Sequence, residues 1–248
     1  MMDQQNATQT VRVVMHAHSE WSYDASWPLE RIARIMPRFG AQVVMMCEHD
    51  TGFPAERFDE YRAACAAAST ENCLLIPGIE YSDQTNAVHL PTWGLTTFLG
   101  EARPTIETLR DVSAGHGASI FAHPARRDVW SLFDPAWAPF LSGLEVWNRK
   151  TDGIAPGEKA VEMLKHTGLQ PVVGMDFHRR NQLWPLVNRF EIQGAASETS
   201  VVAALRAGRV VPCAFGRPLI DDSGVLHQSA HQRGEQVRRF LKRHVLRR

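Results

Sequence analysis

His16-Ala17-His18 places two imidazoles at i and i+2 after an apolar run, and alternate residues of a strand project to one side. Separated by roughly 7 Å along the chain, two such side chains can converge on one cation. One pair of this kind carries little weight, but the pattern continues. Asp24 follows in Ser22-Tyr23-Asp24, where it also suits a turn or a helix cap. Glu48-His49-Asp50 ends the next apolar run, and three successive ionisable groups are costly to bury without partners or a metal. Glu80 closes Pro77-Gly78-Ile79-Glu80, His89 lies in an extended apolar stretch, and His123 ends Phe121-Ala122-His123-Pro124. Asp176-Phe177-His178 repeats the i, i+2 spacing with one carboxylate and one imidazole. Together these are six histidines, two aspartates and one glutamate, a donor set of imidazole nitrogen and hard oxygen that suits zinc, manganese or iron. Nine ligands exceed one tetrahedral ion and imply two or three divalent ions with a bridging carboxylate.

The elements that must position these residues alternate between short apolar runs and helix-like runs. The patterns predict strands over 11–15, 42–47, 73–79, 118–122, 144–147, 171–175, 186–192 and 210–214, with an extended segment over 87–98. Helices are expected over 28–39, 55–68, 105–114, 158–166 and 198–207, with Pro37 disturbing the last turn of the first. Alternating units of this number point to an α/β fold with a parallel sheet. The polar residues of interest fall just after strands in different units, as they do at the C-terminal rim of a (β/α) barrel. An open doubly wound sheet would gather its site at one switch point, and the sequence has neither GxGxxG nor a Walker motif.

The 248 residues are 44% hydrophobic and 22% charged, with a formal net charge of zero, so nothing global steers the chain to nucleic acid or an anionic membrane. The N-terminus lacks the regions of a signal peptide, and no apolar run approaches the ~18 residues that cross a bilayer. Cys47, Cys65, Cys73 and Cys213 form no CxxC pair and read as reduced core thiols of a cytoplasmic protein. Beyond residue 220 the chain turns polar and then basic, consistent with an amphipathic helix bearing a solvated basic face.

On His16-Ala17-His18-Ser19, Ser22-Tyr23-Asp24, Glu48-His49-Asp50, Pro77-Gly78-Ile79-Glu80, His89, Ala122-His123-Pro124 and Asp176-Phe177-His178, in this order, the chain resembles the PHP (polymerase and histidinol phosphatase) family. The resemblance runs over about residues 11–180. It implies a distorted (β/α)7, TIM-like barrel in a single domain, spanning residues 1–220 and followed by the tail 221–248. It also implies three metal sites: His16, His18, Glu80 and Asp176; Glu80, His89 and His123, with Glu80 as bridge; and Asp24, His49 and His178. One element departs from the pattern, reading Cys47-Glu48-His49 where many relatives read Thr-Asp-His, with the histidine kept.

The function expected from this reading is a metal-dependent phosphoric ester hydrolase, a phosphomonoesterase or phosphodiesterase acting on a small phosphorylated substrate. A metal-bridging hydroxide would be the attacking group. Three divalent ions facing three carboxylates and a hydroxide leave a net charge of about +2, suited to a phosphate dianion. Asp50 is a candidate acid or base, and Arg126, Arg127, Arg179 and Arg180 are candidate phosphate contacts. Glu145 and Asn148, at the end of a strand, are candidates to support the ligand histidines. Trp21, Trp93, Trp130, Trp147 and Trp184 lie near the motifs, where one could stack on a flat substrate group or serve in packing. An amidohydrolase-type hydrolase also opens with HxH on a barrel strand, and a non-catalytic metal-bound scaffold is the alternative outside enzymes.

Overall fold

The computed structural model describes residues 7–221, 226 and 229–244. The chain forms β1 (Thr8–Ala17), α1 (Leu29–Ile35), β2 (Val43–Met46), β3 (Glu48–His49), α2 (Phe58–Ala68), β4 (Leu74–Ile76), β5 (Gly78–Ser82), β6 (His89–Trp93), α3 (Thr105–Ala114) and β7 (Ala118–Phe121). It continues through β8 (Gly143–Asn148), α4 (Arg149–Asp152), α5 (Glu158–Thr167), β9 (Pro171–Gly174), β10 (Leu186–Gln193), α6 (Glu198–Arg206), β11 (Val210–Ala214), β12 (Arg217–Pro218) and α7 (Ser229–His244).

These strands make two six-stranded sheets, ordered β12-β11-β10-β1-β2-β4 and β3-β5-β6-β7-β8-β9. The result is a mixed α/β fold, and the expected closed barrel is not formed. The pairing itself gives the reason. β1–β2, β2–β4, β3–β5, β7–β8 and β8–β9 are parallel, but β10, β11, β12 and β6 pair antiparallel with their neighbours, so the chain is not a run of identical βα units. The expected strand over 73–79 is broken at Pro77, which has no N–H to continue a ladder, and Cys47, whose N–H donates to the Ala17 carbonyl at 2.7 Å, stands between β2 and β3. At the other seam the link runs past the end of β9: Met175 N donates to Met15 O, Phe177 N to His16 O, and His18 N to Phe177 O.

β2, β4 and the part of β1 from Val13 to Met15 are buried on both faces, which explains their unbroken apolar sequences, whereas Thr8, Gln9, Thr10 and Arg12 at the start of β1 are exposed. One face, with Val14, Val44 and Met46, packs against Ile32 of α1 and Tyr61 and Cys65 of α2. The other, with Val13, Met15, Val43, Met45 and Ile76, meets Trp93, Ile120 and Val172 from the second sheet and Val201 and Leu205 from α6. This apolar interior is the floor of the functional end, because His16, Glu48 and Asp176 directly follow its last apolar residues. Gly78 is needed here: a Cβ would collide with the Trp93 ring and the Met46 carbonyl, to which Trp93 Nε1 donates at 2.6 Å. The four cysteines are free and buried. Pro37 does shorten the first helix: α1 stops at Ile35 and Met36–Phe39 continues as a 3-10 turn. No helix among the described residues is long and apolar enough to cross a membrane.

Candidate metal centre

Glu80 stands at the centre of the strand ends, almost fully buried. Its Oε1 lies 3.2 Å from His16 Nε2, 2.9 Å from His89 Nδ1 and 3.1 Å from His123 Nε2. Its Oε2 lies 3.1 Å from His49 Nδ1 and 3.6 Å from His18 Nε2. One carboxylate therefore faces five imidazoles, the position expected of a bridge. Burial alone would raise its pKa, but His89 and His16 hold it well below the usual range. Asp176 Oδ1 approaches His16, His18 and His178 at 3.8, 3.7 and 3.2 Å. Asp24 joins His49 and His178 at 3.3 and 3.1 Å, although its own side chain is partly exposed.

The structure thus brings all nine expected ligands to one place. Three groups have ligand atoms close enough to share an ion: His18, His49 and His178; His16, Glu80 and His123; and His16, His18 and Asp176. The grouping differs in detail from the sequence expectation, since His18 stands with His49 and His178, and His16 with Glu80 and His123. His89 turns Nδ1 to Glu80 and Nε2 to Asn86 Oδ1 at 2.7 Å.

The residues fit divalent ions on two observations. First, His16 Nε2, His18 Nε2, His123 Nδ1 and Asp24 Oδ1 are buried without a well-directed hydrogen bond, although Glu80 lies close to His16 and His49 close to Asp24, an arrangement that costs free energy unless a further group occupies the space. Second, the opposite nitrogens are fixed. His16 Nδ1 donates to Glu145 Oε1 at 2.7 Å, His18 Nδ1 to Ser22 Oγ at 3.2 Å, and His178 Nδ1 to the Asp176 carbonyl at 3.0 Å. For His16 and His18 this turns Nε2 inward, the usual orientation of a ligand histidine, while His178 Nε2 faces Asp24, Lys150 and His49. Burial and the neighbouring His178 and His49 push the His18 pKa down and keep it neutral, the form that binds metal. His16 is opposite: burial lowers its pKa, but Glu145, Glu80 and Asp176 drive it well above the ordinary value.

Backbone conformation contributes to the convergence. His16, His123 and Asp176 adopt positive φ values of 63°, 30° and 48°. Each such residue costs about 1–3 kcal/mol, and such strain clusters at functional sites. His16 sits on a bulge where the β1–β2 register shifts between Met15 and Ala17, so simple strand alternation does not place the first pair as the sequence predicts. Gly174 gives room for the support: a Cβ there would collide with the Glu145 carboxylate.

Glu145 and Asn148 each hydrogen-bond candidate ligands. Glu145 Oε2 accepts from His123 N at 2.9 Å and Asn148 Nδ2 at 2.9 Å, and the same amide reaches Asp176 Oδ2 at 3.3 Å. Asp50 is not placed as an acid or base. Its buried carboxylate is used by Ser82 N and Ala102 N, and it anchors backbone rather than facing the cavity. Of the four arginines, Arg126 lines the cavity; Arg127, Arg179 and Arg180 are exposed and do not. None of the five tryptophans lines it, and Trp93 and Trp147 are wholly buried.

Sequence reasoning missed three features. Lys150 Nζ lies 3.3 Å from Asp176 Oδ1 and 3.1 Å from His178 Nε2, on the four-residue α4 that no pattern foretold. Glu48 accepts from Ser19 N, Ser19 Oγ and Ser22 Oγ, so Glu48 and Ser22 together orient His18. The serine spacing after His18 was the available signal. Tyr23 lies at the cavity mouth, with its ring stacked on His49 at 5.1 Å.

No family model and no curated protein matches the chain. Solved structures do. A two-domain protein from Bacteroides vulgatus containing a predicted PHP-like metal-dependent phosphoesterase superposes with a TM-score of 0.63 at 17% identity, over 84% of this chain. The fold is that of the PHP-like phosphoesterases. The chain spans 65% of the length of that Bacteroides protein. PsfC from Pseudomonas syringae matches with a TM-score of 0.58 at 12% identity, over 84% of this chain and 92% of its own. The lesion-specific endonuclease EndoQ from Pyrococcus furiosus matches with a TM-score of 0.57 at 14% identity, over 92% of this chain and 66% of its own. At these identities the likeness speaks for the PHP-like fold alone.

Proposed function

We propose that this chain is a metal-dependent phosphoesterase that hydrolyses a small phosphate ester, with His16, His18, Asp24, His49, Glu80, His89, His123, Asp176 and His178 holding two or three divalent ions of zinc, manganese or iron. The observation that carries the reading is the convergence of five buried imidazoles on the one Glu80 carboxylate. When bound there, divalent ions would supply a water acidic enough to attack phosphorus and positive charge for the phosphoryl oxygens.

The remaining work belongs to this chain's own side chains. Glu145, Ser22 and the Asp176 carbonyl fix the histidine tautomers. Lys150 and Arg126 line the cavity of about 210 Å³ and offer cations to the oxygens that face away from the carboxylates. Arg126 is positioned by donating Nη1 to the Asn86 carbonyl at 3.2 Å, which leaves the rest of its fork for substrate. Lys150 is the one lysine among the described residues that lines the cavity, and its ammonium is the proposed proton donor to a departing alkoxide. The size of the cavity favours a small ester.

A damaged nucleic acid is a second reading, favoured by one observation: a solved complex of Endonuclease Q with a 27-mer duplex carrying an abasic lesion matches with a TM-score of 0.54 at 14% identity, over 80% of this chain and 57% of its own. Purified protein should be analysed for metal content, then assayed with a panel of phosphorylated metabolites, a duplex with an abasic site and a panel of amides. At least two ions per chain and turnover of a small ester are expected. Less than one ion after reconstitution, or turnover of amides alone, would overturn the reading.

A further inference from the structure

Tyr23 is the most exposed of the large hydrophobic side chains among the described residues, at 71%. It sits on the loop between β1 and α1, beside Asp24, whose carboxylate is fixed by His49 and His178. One face of its ring covers His49 at an interplanar angle of 27°, and the other is open to solvent. An aromatic ring left in water adds nothing to the core, so its position has to be sought in what passes over it. The rest of the mouth is polar: Asn86, Arg126, Lys150 and Thr151. A phosphoryl group seated among the ligands and Lys150 would leave its alcohol to exit through this mouth, where Tyr23 offers the only aromatic surface among the described residues lining the cavity apart from the imidazoles.

Building on the phosphoesterase reading, we propose that Tyr23 is a stacking platform for the leaving group, and that the substrate class is a phosphate ester of a planar, π-bearing alcohol such as a nucleoside or arylmethanol. Base-on-ring stacking is tolerant of which flat group is presented, so the platform selects for planarity and not for one base. Arg126 lines the same cavity and can take a further anionic substituent of that group.

The test compares kcat/KM for adenosine 5′-monophosphate, benzyl phosphate and glycerol 3-phosphate, three esters of alcohols with similar acidity, so that ratios report recognition of the flat group. Wild type should prefer the two planar esters to the aliphatic one by about tenfold or more, and Tyr23→Phe should keep that ratio. Tyr23→Leu and Tyr23→Ala should each lower it about tenfold. Rescue of the ratio by leucine would show that the ring merely shelters His49 and would overturn the proposal, as would no preference in wild type. The arms also separate sources: preference for both planar esters indicates any flat group, preference for adenosine 5′-monophosphate alone a nucleoside. Calorimetric titration with adenosine supplies a readout independent of turnover, and Tyr23→Ala should weaken its binding about tenfold. Tyr23-dependent adenosine binding without hydrolysis of any ester would sink the phosphoesterase reading and leave the platform standing. Hydrolysis with ratios insensitive to Tyr23 would do the reverse.

Discussion

Val13, Met15, Val43, Met45, Ile76 and Phe190 pack between the two sheets with essentially no exposure, while one residue beyond Met15 the same strand carries His16. Below that line the backbone is regular, the few buried polar side chains such as Asn188 are tied to backbone, and close packing contributes the stability. Above it the chain takes positive φ at His16 and Asp176, buries charged groups and leaves ring nitrogens unpaired. Burying these groups is unfavourable in isolation. The contrast teaches that the apolar interior does not form the site; it makes a floor stiff enough to hold strained, partnerless donors in one place.

Four experiments would break or sharpen that contrast. The largest effect is expected from Glu80→Gln, which removes the charge shared by five imidazoles: bound metal should fall and hydrolysis drop roughly a thousandfold. Elemental analysis and kcat/KM check it, and activity above about a tenth of wild type would contradict the bridging role. Phe190→Ala should cost about 3–5 kcal/mol of stability by calorimetry while the folded fraction keeps its metal content. A changed metal count there would show that floor and site are not separable. Glu145→Gln keeps the shape beside Gly174 but weakens the hold on His16 and His123. Metal affinity should fall about 10–100-fold, read by competition with a chelator.

The smallest and most local effect concerns Asp152, whose Oδ2 accepts from Asn148 N at 2.7 Å. Burial pushes its pKa from 3.8 up to about 7, against the hydrogen bond from Asn148, with the Glu145 charge adding to the rise. Between these values the folded chain keeps a proton that the unfolded chain has released. This contribution to stability is therefore present at low pH and lost as pH rises from about 4 to 7, with a limiting slope of about 1.4 kcal/mol per pH unit. Asp152→Asn should flatten that part of the unfolding profile. An unchanged profile would remove Asp152 from the account.

Much of the local structure was legible. The expected bounds of α3 and β11 match those observed, and α5 differs by one residue, because a period of 3.6 or a short β-branched run is a local property. Pro37 was legible as the end of the first helix, whereas the strand expected over 73–79 ran through Pro77, and only the division into two sheets shows that this proline breaks the ladder. Asp50 misled because three adjacent ionisable residues look alike on paper, whereas each points to a different neighbour: Glu48 to serines, His49 to Glu80, Asp50 to backbone N–H groups. Lys150 and Tyr23 carry no spacing signal, since each reaches the cavity from its own loop or short helix.

The sequence by itself determined the donor set and its placement after strands, because ligand type and strand ends are written in residue identity and local pattern. Tertiary structure decided that two sheets meet without closing, that Glu80 sits among five rings, and which cations reach the cavity. Those outcomes depend on contacts between residues as far apart as His16 and Glu145, whose distance is set by packing and backbone strain and by no local rule.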